Sequence, residues 1–249
     1  MKETSTNNFV SGLGSRLNSN PWYKLSEIIL VFMSAFVVIK LLIPLTGDDP
    51  ILKQAVIWLA NIIMLILVFA GLKLRGESLK HFGLTFGKFT FRDLIRTLLL
   101  SLLVFVIAVI GFLMGSFIMA NITGIPETSD LSSYGFLKGN LGMLLLTLAG
   151  VYIVSSFGEE VIYRAFLINR ISEFNLSPRM GVVLALVISS LIFGLAHYEW
   201  GLMGMAQTTL MGLALGICYV KLKKKLWALV LAHAYMDTIL MVQMYLASN

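Results

Sequence analysis

The sequence predicts an all-α fold, a polytopic integral membrane helix bundle of about seven spans (roughly six to eight), and three observations predict it. Hydrophobic residues make up 58% of the chain and charged residues 13%, against about 45–50% and 25% in ordinary globular proteins. Mean hydropathy is +0.88. The apolar residues also fall into tracts of about 20, the length a helix needs to cross a ~30 Å hydrocarbon core.

Residues 1–24 form a polar N-terminal segment with Asn, Ser and Gly and no apolar core of a cleaved signal peptide. Spans are predicted near 25–46, 54–72, 97–120, 139–168, 180–198, 201–220 and 226–247. Lys40 and Pro44 interrupt the first, and 97–126 is a run of 30 residues without a charge. The N-terminal spans occupy 25–138, with a basic loop at 73–96, and a C-terminal core occupies 139–249. The loop holds Gly76, Gly83 and Gly87 and alternates Phe82, Leu84, Phe86, Phe89 and Phe91, the pattern of a short interfacial hairpin or amphipathic segment. His81 within it reads as a solvated loop residue.

Lys and Arg set the orientation. Fifteen of them, from Lys2, Arg16 and Lys24 to the run Lys221, Lys223, Lys224 and Lys225, fall on one side of the predicted spans, and two, Lys53 and Lys138, on the other. The positive-inside rule then gives a cytoplasmic N-terminus and an outer C-terminus. The net charge of +6 and pI of about 9.4 follow from that asymmetry and need no nucleic-acid partner, though the basic loops suit anionic lipid. A single cysteine, Cys218, excludes an internal disulfide and any Cys-based metal site. Gly111-x-x-x-Gly115 and Gly212-x-x-x-Gly216 are small-residue motifs that pack helices closely, either within the bundle or in a homodimer.

Chemistry concentrates in the C-terminal core. Glu159, Glu160 and Arg164 directly follow the uncharged stretch 141–157. One charge near the bilayer centre costs roughly 2.5–3.5 kcal/mol, so three together persist where they pair or work. Glu160 and Arg164 share a helix face and can pair, whereas Glu159, rotated by about 100°, has no cation of its own and is the carboxylate able to take a proton from water. A packing network of all three, or snorkelling to the interface, is the competing reading. His197 and His233 alone are each satisfied by one interhelical hydrogen bond. With Glu159 and Asp237, however, they place four polar groups on three apolar spans, where each needs the others or water.

Glu159-Glu160-x-x-x-Arg164, Phe193-x-x-x-His197 and His233-x-x-x-Asp237, in this order over roughly 141–243, resemble the three motifs of the CPBP family, the CAAX proteases and bacteriocin-processing enzymes also called the Abi family. The resemblance implies an intramembrane glutamic endopeptidase with a peptide or membrane-protein substrate, in the cell membrane of a prokaryote, with no organic cofactor. It implies that Glu159 and His197 bind and deprotonate a water, that His233 with Asp237 stabilises the oxyanion, and that Glu160 with Arg164 holds the helices. Phe193, one turn before His197, reads as a wall or orienting contact.

The sequence departs from the prenyl-protease branch at Asp237, where that branch carries Asn. An ionised Asp cannot donate to an oxyanion, so the expectation is that Asp237 accepts a bond from His233, four residues earlier, and orients that ring. The prenylated substrate is put in question by the same substitution. Depth raises a further difficulty. At ~1.5 Å per residue, Glu159 lies about 16 Å from Arg170 and His233 about 12 Å from Lys225, but His197 lies about 27 Å from Arg179. They meet if the 170–179 connection projects from the membrane or if the helices tilt or break, for which Pro178 is suited.

Three other functions use the same residues. Glu159, His197 and His233 would be the ligands of a catalytic Zn, although the usual His-Glu-x-x-His helix is absent. A bacteriocin immunity protein would bind through this fold without cutting. A transporter would use Glu, His and Asp as a proton relay, which no inverted repeat supports. The expectation is a metal-free protease.

Overall fold

A computed structural model describes residues 12–85, 90–124, 132–174 and 176–247. Lys2, Lys88, Phe86, Gly87 and Phe89, which enter the orientation and loop readings, lie outside these residues. The described residues are helical throughout, with no strand among them. Among the described residues seven helices are long and apolar enough to cross a membrane: Pro21–Leu45, Pro50–Leu74, Phe91–Thr123, Leu141–Ser172, Pro178–Leu195, Tyr198–Lys221 and Leu226–Leu246. The protein is an integral, multi-pass membrane bundle.

The helices are α1 (12–19), α2 (Pro21–Leu42), α3 (Pro50–Leu74), α4 (Phe91–Thr123), α5 (Leu141–Val151), α6 (Asn169–Ser172), α7 (Pro178–Leu195), α8 (Gly201–Lys221) and α9 (Leu226–Leu246). Starts are set by capping chemistry. Asn20, Asp49 and Ser177 each accept a backbone N–H from the first turn and precede a proline, whose missing N–H costs nothing there. Thr90 and Asp93 form a reciprocal capping box. It starts α4 at Phe91 rather than near 97, so Arg92 and Arg96 lie in its exposed first turns. Pro178 opens α7, which ends at Leu195 and leaves His197 beyond the helix.

Both glycine motifs are used inside the bundle. Gly111 and Gly115 let α4 lie on α8, where a Cβ on Gly115 would come within 2.6 Å of the Gln207 Cα. Gly212 makes room for Phe193, and Gly216 for Leu186. Gln207 donates to Ser116 across the α4–α8 contact at 2.9 Å, and Ser101 and Tyr235 join α4 to α9 at 3.0 Å. Because the obstruction at Gly115 is backbone, Gly115→Ala is expected to cost about 1–3 kcal/mol. Thermal unfolding in detergent reads this as a lower midpoint, and an unchanged midpoint would show that the two helices separate there freely.

The basic end of the bundle is tied by ions. Arg75 and Arg170, both with fully buried side chains, share Glu27, and Arg170 grips both oxygens of Glu77 at 3.1 and 2.7 Å. Glu173 pairs with Arg170 at 3.0 Å, Lys24 at 3.3 Å and Arg75 at 3.4 Å. Burial pushes the Glu77 carboxyl up, but the hydrogen bond and charge of Arg170 outweigh it and hold the group below its ordinary value. The loop after α3 turns back at Leu79–Phe82 and buries Phe82 and Leu84 under α8 and α9. His81 is therefore not the solvated residue the sequence suggests: it lies half-buried, 3.8 Å from Glu173, because its neighbour Phe82 carries the turn into the core.

Candidate active site

The helix that carries Glu159 is not a regular α-helix. Between α5 and α6 it is π-helical at Tyr152–Phe157 and again at Glu160–Ile168. Wider turns rotate successive side chains away from the 100° step of an α-helix and loosen backbone carbonyls, a distortion concentrated at functional sites. Side chains take up the slack: Ser189 of α7 donates to the Tyr163 carbonyl at 2.7 Å, and Asn169, a turn further along the same helix, donates to the Ala165 carbonyl at 2.6 Å. In a membrane interior such replacement bonds are what allow the irregularity.

The π-turn delivers Glu160 to α9. Its Oε1 accepts from His233 Nδ1 at 2.9 Å and lies 3.3 Å from Arg164 Nη1. Glu160 and Arg164 are buried, as expected of a neutralised pair. The expected His233–Asp237 bond is not formed. Asp237 Oδ1 stands 3.7 Å from His233 Nε2, and Asp237 Oδ2 accepts instead from Ser156 at 2.6 Å. Spacing within α9 said nothing of Glu160, which holds the ring through Nδ1 from another helix, or of Ser156, which draws Asp237 to itself. Glu159 Oε2 lies 3.9 Å from His233 Nε2, so three carboxylates surround one imidazole.

His197 reaches the group differently. It sits just past the end of α7 and returns its Nδ1 to the Phe193 carbonyl at 2.8 Å. That carbonyl is one of the unpaired acceptors at a helix C-terminus. A carbonyl only accepts, so Nδ1 carries the proton and Nε2 presents a lone pair. Phe193, fully buried, is the common wall: its ring is 4.8 Å from His197 and 6.4 Å from His233, and the Arg164 guanidinium lies over its face at 4.2 Å. The His197 and His233 rings thus lie against the same phenylalanine, although α7 runs its full length before His197.

Sequence reasoning missed Ser156, Tyr134 and Trp200. Serine in an apolar span costs little and gives no alarm; the one signal is its position a turn before Glu159. Tyr134 belongs to the short 3-10 turn Ser132–Leu137. Burial, followed by the charges of Asp237, Glu159 and Glu199, pushes its phenol up to about 12. Trp200 meets the His197 ring edge-on at 4.9 Å.

Five buried polar atoms of this cluster have no hydrogen-bond partner in the protein: Glu159 Oε2, Glu160 Oε2 and the three guanidinium nitrogens of Arg164. Buried groups of this kind are ordinarily satisfied by water or ligand. As a Zn site the residues fit poorly, because Glu159, His197 and His233 do not bring ligand atoms within 4.8 Å of one another; among the described residues Glu77, His81 and Glu173 do. There the carboxylate oxygens are already held by Arg170, Arg75 and Lys24, which makes that cluster an ion network.

Fold and site together define a polytopic membrane protein with a buried Glu/His centre between its C-terminal helices. Residues 141–239 match a family model described as Rce1-like, type II CAAX prenyl endopeptidase Rce1-like. The matched segment carries all three motifs, and the match is consistent with a CPBP-type intramembrane protease. No curated protein and no solved structure matches the chain.

Proposed function

We propose that this protein is a glutamic intramembrane endopeptidase in which Glu159 and His197 activate a water without a metal ion. The observation that carries the reading is Glu159 itself: its Oε2 has no hydrogen-bond partner in the protein, and its side chain keeps 14% exposure beside Glu160 at 0%. Water bound between the Glu159 carboxylate and the bare Nε2 of His197 gives its proton to Glu159 while its oxygen adds to the scissile carbonyl carbon. The negative charge that develops on the carbonyl oxygen is met by His233, which carries a proton on each nitrogen, Nδ1 held by Glu160 and Nε2 facing the site. Collapse breaks the C–N bond, and the proton on Glu159 passes to the leaving amine.

In this arrangement Glu160 and Arg164 orient His233, while Asp237, fixed by Ser156, stands beside the same Nε2. Asp237 in place of Asn favours a substrate other than a prenylated CAAX sequence. The excess of Lys and Arg at one end of the spans supports a cytoplasmic N-terminus and an outer C-terminus, in a prokaryotic cell membrane.

Metal dependence tests the chemistry. The purified protein is expected to cleave a membrane-protein substrate after exhaustive chelation, with no stoichiometric transition metal by elemental analysis. Zn that leaves and returns in step with activity would show instead that the imidazoles serve a Lewis acid.

A further inference from the structure

We propose that the site is entered from the non-cytoplasmic face, so that its substrates deliver the scissile segment into the bundle from that side. This rests on the proteolytic reading above for what the site does, but not for where it opens.

Exposure along the two helices that carry the carboxylates falls in one direction. On the catalytic helix the Glu159 side chain is 14% exposed, Arg164 1% and Arg170 0%. On α9 the Asp237 side chain is 14% exposed and His233 4%, and Leu229 and Leu226, closer to Lys225, are fully buried. Both sequences of burial deepen toward the basic end. That end is also closed. The turn at Leu79–Phe82 lies under the bundle, the Phe82 carbonyl accepts from Tyr219 at 3.3 Å, and Gly83 packs so closely on the Lys224 carbonyl that a Cβ would not fit. The Arg75, Arg170 and Glu173 network ties the same end together.

The opposite end has a different character. His197 lies in the connection after α7, followed by exposed Tyr198 and Trp200. Tyr134 comes to the same end on its own turn, which α9 anchors through the bond from the Gly139 N–H to the Tyr245 carbonyl at 3.1 Å. Tyrosine and tryptophan at this level match a membrane–water interface. Exposed Lys221, Lys223, Lys225, Arg92, Arg96 and Arg179 lie at the closed end, which the positive-inside rule assigns to the cytoplasm. The open end therefore faces out.

The test uses thiol labelling and needs no substrate. In a Cys218→Ser background, which removes the only cysteine, single thiols are introduced by Glu199→Cys, His197→Cys, Tyr134→Cys and Lys223→Cys. A membrane-impermeant maleimide is applied to right-side-out and inverted vesicles. Glu199→Cys, His197→Cys and Tyr134→Cys are expected to react only right-side-out, and Lys223→Cys only in inverted vesicles. Reaction of the first three only in inverted vesicles would overturn the proposal. So would a reactive Glu199→Cys with His197→Cys and Tyr134→Cys both silent from outside, since the site would then be sealed on that face. Tyr134→Cys keeps the test decisive if His197→Cys fails to fold. Labelling is independent of turnover, so failure here leaves the proteolytic reading standing, whereas correct labelling together with a Cys218→Ser parent, its site residues intact, that cleaves no membrane-protein substrate would sink that reading alone.

Discussion

Glu159→Gln is expected to abolish peptide hydrolysis while expression, insertion and thermal stability stay close to those of the parent. The side chain keeps its shape and loses the base, and acid–base catalysis contributes at least about 100-fold. Stability should hold because the ion pair of Glu159 with His233 Nε2 is long, at 3.9 Å. Turnover of a membrane-protein substrate in detergent or vesicles measures the loss. Full activity in this variant would remove Glu159 from the chemistry. Protection of cells from a toxin by the inactive variant would favour an immunity protein that binds and does not cut.

Arg164→Ala should damage the fold as well as the reaction. Its guanidinium is buried against Phe193 at 4.2 Å and 3.3 Å from Glu160. Removing one member of a buried pair costs about 3–5 kcal/mol, because the remaining charge is left uncompensated. His233 still bonds Glu160 at 2.9 Å, so the loss is expected toward the lower end of that range. Adding Glu160→Gln removes the stranded carboxylate and should restore part of the stability without restoring turnover, since His233 loses its charged anchor. Equal unfolding midpoints for the parent and Arg164→Ala would show that the pair bears no strain of burial, and Glu160 would become a second candidate base.

The spans were legible because hydrocarbon demands long apolar tracts, and the motifs because ions within those tracts are costly enough to stand out. Glu159, Glu160, Arg164, His197, His233 and Asp237 were found on that ground. Their connections were less legible. Regular helical spacing assigned His233 to Asp237, whereas a π-turn, whose register depends on what Ser189 and Asn169 offer to loosened carbonyls, turned Glu160 toward α9. His197 was placed inside a span, yet it ends one: the imidazole bonds the Phe193 carbonyl where the ladder of backbone bonds runs out. Ser156 escaped notice because a hydroxyl is cheap in a membrane helix, and His81 because a polar loop does not announce that Phe82 will be buried.

Arg170 has a consequence for how the two halves of the chain depend on each other. It lies within the segment that matches the family model, 141–239, but two of its three carboxylate partners, Glu27 and Glu77, come from outside that segment. A protein cut down to its catalytic spans would keep the guanidinium and lose most of its counter-charge. The first span and the loop after the second are thus electrically part of the C-terminal core: they supply the anions that let its central helix end inside the protein instead of in water. Inheritance of the core without them would require a neutral residue at 170, or another pair of acids brought from elsewhere.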